Sequence, residues 1–165
     1  MSKTAFETEF LESQSKDMVI TKLRDVFLPQ ECRVCNKIHL PKNPYDMVIF
    51  KSPSYLVAEL KSGKQKSFSL NEKIIKSHQI KSLNKYKDYK NCYCGFIFNF
   101  VSYDNQTFFL HIDDFNLYVS TTTAKSIPLK YIEENGIKID NKIKKIKYHY
   151  FIDKLFEDLE KKYER

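Results

Sequence analysis

Asp46, Glu59 and Lys61 are the residues of this chain whose types and spacing suit a reaction. They lie in the stretches NPYDMVIF and YLVAELKSG. Glu59 and Lys61 are two apart in a β-prone run, so on a strand their side chains share a face with Val57. Leu56, Ala58 and Leu60 take the opposite face, where they can bury. Asp46 stands near the start of the preceding β-prone run, and a hairpin between the two runs brings it alongside Glu59. An Asp and a Glu side by side form a hard-oxygen site fit for Mg²⁺, which takes carboxylates together with waters and phosphate oxygens. A neighbouring Lys can orient an attacking water and stabilise the pentavalent phosphate. Each residue also has a plainer reading: Glu-x-Lys as a solvated charge pair, Asp as a turn residue. The order of the acids across a hairpin, with apolar runs around both, favours the chemistry.

The elements that must hold these residues follow from periodicity. Tyr45 to Phe50 and Tyr55 to Leu60 are short β-prone runs separated by Lys51-Ser52-Pro53-Ser54, with Pro confined to the turn. Upstream, residues 3–16 are expected to be helical, with Phe6, Phe10 and Leu11 on one face and Glu7, Glu9 and Glu12 off it or at its edge. Met18 to Phe27 is expected to be a strand, and Pro29 to Asn43 an irregular connection. Downstream, Asn71 to Tyr86 has helical spacing with Asn71 as its cap. Tyr93 to Val101 is a dense apolar run suited to a buried central strand. Thr107 to Ile112 follows as a strand, Asp113 to Tyr118 as a short helix, and Ile127 to Asn135 as a helix stopped by Gly136 at C′. Residues 138–147 alternate Ile and Lys like an edge strand, and Asp153 to Tyr163 reads as a polar terminal helix. No repeat or linker divides the chain, so residues 1–165 are expected to form one mixed α/β domain.

Asp46 followed by Glu59-Leu60-Lys61 resembles the signature of the PD-(D/E)xK nuclease superfamily. Further on, LVAELKSGKQKSFSLNEKIIKSHQIKSL is similar to the core of the RecU-type Holliday junction resolvases. There a catalytic E-x-K precedes a K-x-S-F-x-L stretch and a helix containing H-Q-I; here these are Lys66-Ser67-Phe68-Ser69-Leu70 and His78-Gln79-Ile80. CGFIFNF and TFFLHIDDF resemble the next two strands, and KSIPLKYIEENGIKI the C-terminal segment of small phage-like members.

The resemblance implies a restriction-endonuclease-like core with a mixed central sheet flanked by helices. It implies Asp46 and Glu59 as ligands of Mg²⁺ (or Mn²⁺), Lys61 as the catalytic lysine, and Gln79 in the metal or water network. The family's Thr two residues before the Asp is replaced here by Pro44. Larger members carry a long junction-entering protrusion before the catalytic Asp, whereas Pro29 to Asn43 is short. Lys64, Lys66, Ser67 and His78 are candidates for phosphate contacts. Glu9 matches the first-helix position where some superfamily members place an extra acid; its plainer reading is a solvated glutamate. The implied activity is metal-dependent endonucleolytic cleavage of branched or four-way DNA by a homodimer, in recombination or repair. The alternatives are another nuclease of the superfamily and a catalytically silent DNA-binding protein on the same fold.

The cysteines pose a separate question. Cys32-x-x-Cys35 has zinc-knuckle spacing, and a four-ligand site would combine it with His39 and one of Cys92 or Cys94. The alternative is reduced thiols. The net charge of +7, from 28 basic and 21 acidic residues, suits a polyanionic partner. The same surplus of Lys, Asn, Ile and Tyr over Gly is also what AT-rich coding writes. No apolar run approaches the roughly 20 residues of a membrane-spanning helix. The acidic N-terminal stretch does not suit a signal peptide, so a cytoplasmic location is expected.

Overall fold

The computed structural model describes residues 3–23 and 43–163. Its elements are α1 (Lys3–Leu11), β1 (Val19–Lys22), β2 (Met47–Lys51), β3 (Ser54–Gly63), β4 (Ser67–Ser69), α2 (Ser77–Tyr86), β5 (Cys92–Phe100), β6 (Gln106–His111), α3 (Ile112–Thr121), β7 (Ser126–Pro128), α4 (Leu129–Asn135), β8 (Ile137–Lys138), β9 (Asn141–Lys144), β10 (Lys147–Tyr150) and α5 (Ile152–Lys162).

Six strands form a mixed sheet in the order β1-β2-β3-β5-β6-β8. Every pairing is antiparallel except that of β3 with β5. Parallel neighbours need a long crossover, which residues 64–91 supply through β4 and α2. β5 is central and buried on both faces from Tyr93 to Phe100, so it is apolar almost throughout rather than alternating.

Side-chain alternation along β3 divides the core in two. Leu56, Ala58 and Leu60 pack into one cluster with Phe6 and Phe10 of α1 and Leu155, Phe156 and Leu159 of α5. Val57 joins the other, with Leu83 of α2, Phe115 of α3 and Ile132 of α4. The sheet is therefore covered by helices on both faces. β4 pairs with β7 beside the second cluster, and Phe68 anchors it by packing against Phe98 and Phe100, with ring centroids 4.9 and 5.1 Å away.

Several expectations are corrected. The first strand is confined to Val19–Lys22; residues 24–27 of the expected strand lie outside the described residues, as does nearly all of Pro29 to Asn43. α2 begins at Ser77, not near Asn71. Asn71 instead closes a separate turn, its Oδ1 accepting from the Lys73 N–H at 3.0 Å. Gly136 follows α4 with φ −89°, outside the left-handed region. A side chain is excluded there by crowding, since a Cβ would stand 2.5 Å from the Ile132 carbonyl oxygen and 2.8 Å from that of Phe109. Of the expected edge strand 138–147, only Lys138 joins the main sheet, as the second residue of β8; residues 141–150 form a hairpin of their own. α5 is amphipathic, burying Ile152, Leu155, Phe156 and Leu159.

Candidate active site

The β2–β3 hairpin pairs Met47 with Ala58. Continuing that register places Asp46 opposite Glu59. Directly opposed residues share a face, so both carboxyls lie on the face covered by α2. The Leu60 N–H donates to Asp46 Oδ2 at 3.1 Å, which fixes the aspartate against β3. The Leu23 N–H donates to the Asp46 carbonyl at 2.9 Å and secures its backbone from the other side.

Glu59, Lys61 and Gln79 form a buried triangle. Their relative exposures are 1%, 8% and 6%, so the hydrogen bonds among them are made largely out of water. Lys61 Nζ lies 2.9 Å from Glu59 Oε1 and donates to Gln79 Oε1 at 3.1 Å. Gln79 Nε2 donates to Glu59 Oε1. The Lys76 N–H also donates to Gln79 Oε1, at 3.0 Å. Two donors facing one side of the amide and a carboxylate facing the other leave a single sensible orientation. The first turn of α2 thus sets the angle between Glu59 and Lys61.

Burial, and then the Asp46 carboxylate beside it, push the Glu59 carboxyl up from 4.5 to about 7; the Lys61 ammonium pulls the other way. A side-chain hydrogen bond with Asp46 adds to the rise. Two carboxyls near enough to share a proton, with a lysine at their flank, provide the oxygen donors and negative charge that Mg²⁺ or Mn²⁺ requires. No cluster of three or more His, Cys, Asp or Glu ligands occurs among the described residues. Asp46 and Glu59 therefore fit a cation that takes its remaining ligands from water and phosphate, as Mg²⁺ commonly does.

Residues 50–154 match the family described as Recombination protein U. The chain belongs to that family. The matched residues include Glu59, Lys61 and Gln79, and begin four positions after Asp46. A relative, the SPβ prophage-derived uncharacterized protein YotM of Bacillus subtilis, is 38% identical over 133 residues, covering 73% of this chain and 68% of its own length. Among solved structures, the chain is similar in fold to Hjc of Archaeoglobus fulgidus, a Holliday junction resolvase from an archaeal hyperthermophile. The TM-score is 0.51 at 12% identity, covering 82% of this chain and 92% of Hjc. The restriction-endonuclease-like core expected from the sequence is the fold observed.

The other expected site residues are placed as follows. Lys64 and Lys66 are exposed in the turn after β3, Ser67 is half-buried at the start of β4, and His78 is half-buried beside Gln79. Glu9 is buried instead of solvated, because its Oε2 accepts from the Tyr148 N–H at 3.3 Å. A second acid of α1, Glu7, is buried and paired with Lys22 of β1, one residue before the Leu23 N–H that holds Asp46. Sequence periodicity put Glu7, like Glu9 and Glu12, off the apolar helix face or at its edge. Cys32, Cys35 and His39 lie outside the described residues. The Sγ atoms of Cys92 and Cys94 are 3.7 Å apart. The two therefore share a face, because residues i and i+2 of a strand point the same way, and the reason for using only one of them in a four-ligand site falls away.

A buried polar chain escaped the sequence reading. Ser62, next to Lys61, donates to Asn99 Oδ1 at 2.8 Å. Asn99 Nδ2 donates to Asn105 Oδ1 at 2.8 Å, and Asn105 Nδ2 to the Tyr150 hydroxyl at 2.9 Å. Asn99 is fully buried in the apolar run CGFIFNF, and an asparagine isolated among such neighbours was the available signal.

Proposed function

We propose that this protein is a metal-dependent endodeoxyribonuclease that resolves four-way junctions, with Asp46 and Glu59 holding Mg²⁺ or Mn²⁺ and Lys61 serving catalysis. The observation that carries this reading is half-buried Asp46, just before β2, held beside buried Glu59 and Lys61 of β3 in a resolvase-like fold. When bound, the cation supplies Lewis-acid activation of water and scissile phosphate.

The chain's own groups do the rest. The Leu60 N–H holds Asp46, and Gln79 holds Glu59 and Lys61 at a fixed separation. With Oε1 already accepting from two donors, Gln79 acts by positioning its neighbours. Lys61 directs its ammonium to the attacking water and to the charge gathering on the phosphate. A water oxygen bonds to phosphorus in line with the leaving O3′. The P–O3′ bond breaks and O3′ takes a proton, leaving 5′-phosphate and 3′-hydroxyl ends. A four-way junction requires two matched cuts, which a C₂ homodimer provides. Exposed Lys64 and Lys66, with Ser67 and His78, stand near the catalytic strand for contacts to backbone phosphates.

The test is cleavage of a labelled four-way junction beside linear duplex and single strand of the same sequence, with Mg²⁺ and with EDTA. Junction-selective cutting that EDTA abolishes is expected. Equal cutting of all three substrates indicates another nuclease of the superfamily, and binding without cutting indicates a catalytically silent DNA-binding protein.

A further inference from the structure

The β9–β10 hairpin carries features at its tip that cost the fold. Its strands pair Lys144 with Lys147; Glu12 binds the Lys147 ammonium at 2.7 Å, and Lys144 still faces a like charge, which is unfavourable. Lys145 at the turn has φ +60°, a conformation that strains a residue with a Cβ. Ile146, beside it at the tip, is 90% exposed, and Ile143 is 61% exposed. Strand alternation sets Lys142, Lys144, Lys147 and His149 on one face. The lysines at 142 and 144, with burial as the larger cause, depress the His149 pKa.

The hairpin's position is equally specific. β8 runs antiparallel to β6, and the Ile139 N–H donates to the Thr107 carbonyl at 2.8 Å. The chain thus leaves the sheet at the end where β3 and β5 finish, the end toward which Lys61 lies. Tyr150, at the base of the hairpin, closes the polar chain that runs through Asn105 and Asn99 to Ser62. The Asn141 amide donates to the Asn105 carbonyl at 3.1 Å from the opposite strand. Buried hydrogen bonds therefore tie the base of the hairpin to Ser62, which follows Lys61 on β3 and points to the opposite face of the strand.

We propose that the β9–β10 hairpin is a DNA-binding wedge. Lys142, Lys144 and Lys145 grip backbone phosphates, and Ile146 enters the opening between base pairs at the branch point. Positive charge around an exposed apolar tip matches a polyanion with a gap in its stacking, and apolar wedges are known to enter opened base steps. The inference rests on the nuclease reading above and adds to it the surface that favours branched over linear DNA.

The test uses the full chain with fluorescein-labelled four-way junction and linear duplex, in Ca²⁺ to permit binding without turnover. Ile146→Ser should weaken junction binding about tenfold and leave duplex binding within twofold. A 2-aminopurine placed at the branch should brighten with wild type and not with Ile146→Ser. Lys144→Glu should weaken binding to both DNAs and reduce the salt slope by about one. Unchanged melting temperatures for both variants would exclude misfolding as the cause. If both variants bind both DNAs as wild type does while Mg²⁺-dependent cleavage persists, the wedge is overturned and the nuclease reading stands. If wild type itself neither binds nor cuts DNA, both fall. Loss by Ile146→Ser of binding to anionic phosphatidylglycerol vesicles, with junction binding intact, would also overturn the wedge.

Discussion

Glu59 combines a functional requirement with a folding cost. Its carboxyl is buried against Asp46 and ionises only near pH 7 in the fold, against 4.5 when unfolded. A raised folded-state pKa means the folded chain holds its proton longer than the unfolded one. Stability is then full below pH 4.5 and declines as pH rises through 7. Glu59→Gln keeps the shape and removes the charge. In EDTA its melting temperature should exceed that of wild type, by more at pH 8 than at pH 5, while Mg²⁺-supported cleavage disappears. A gap that fails to widen with pH would contradict the assignment. Asp46→Asn should likewise abolish cleavage and leave DNA binding intact. Lys61→Ala should cost about 10²–10³-fold in turnover, the scale of losing one preorganised electrostatic group, while calorimetry finds metal affinity little changed. A collapse of metal binding would make Lys61 a structural residue.

At the scale of elements, the hairpin and the facing of Asp46 and Glu59 across it were legible in the sequence because period-2 alternation and a Pro-containing turn are local signals. Apolar density marked β5 for the same reason. What was not legible depended on distant partners. α5 looked polar because its four buried residues are spaced along one face among charges. The glutamates of α1 are buried only because Lys22 and the Tyr148 backbone meet them. Gln79 became informative through a family resemblance; its geometry comes from a helix start at Ser77 that neither Asn71 nor Lys76 advertises. Tyr150 offers a test of the polar chain linking these elements. Burial above all raises its hydroxyl to about 12, from 10. Wild-type stability should therefore fall as pH climbs from 10 to 12, because only the unfolded chain readily loses that proton. Tyr150→Phe should be less stable at pH 7, by about 1–3 kcal/mol for the donor left on Asn105. Its loss between pH 10 and 12 should be shallower in denaturant titrations. A wild-type slope matching that of the variant would show that the hydroxyl is not buried in solution.

Across the whole molecule, the net charge of +7 gives binding its long-range attraction, and the sheet end at β3 gives it a destination. DNA affinity should fall steeply with salt as lysine contacts release counterions. Lys64→Ala with Lys66→Ala should flatten that dependence, and an unchanged slope would place the phosphate contacts elsewhere. No helix among the described residues is long and apolar enough to cross a membrane. The central claim is that Asp46, Glu59 and Lys61 form a divalent-cation nuclease site acting on branched DNA. The most direct measurement is resolution of a labelled four-way junction in Mg²⁺ by wild type and Glu59→Gln, with the products then offered to DNA ligase. Wild type is expected to leave paired, symmetric, ligatable nicks and the variant none, with both proteins binding the junction. Nicks made equally well by Glu59→Gln would contradict the claim.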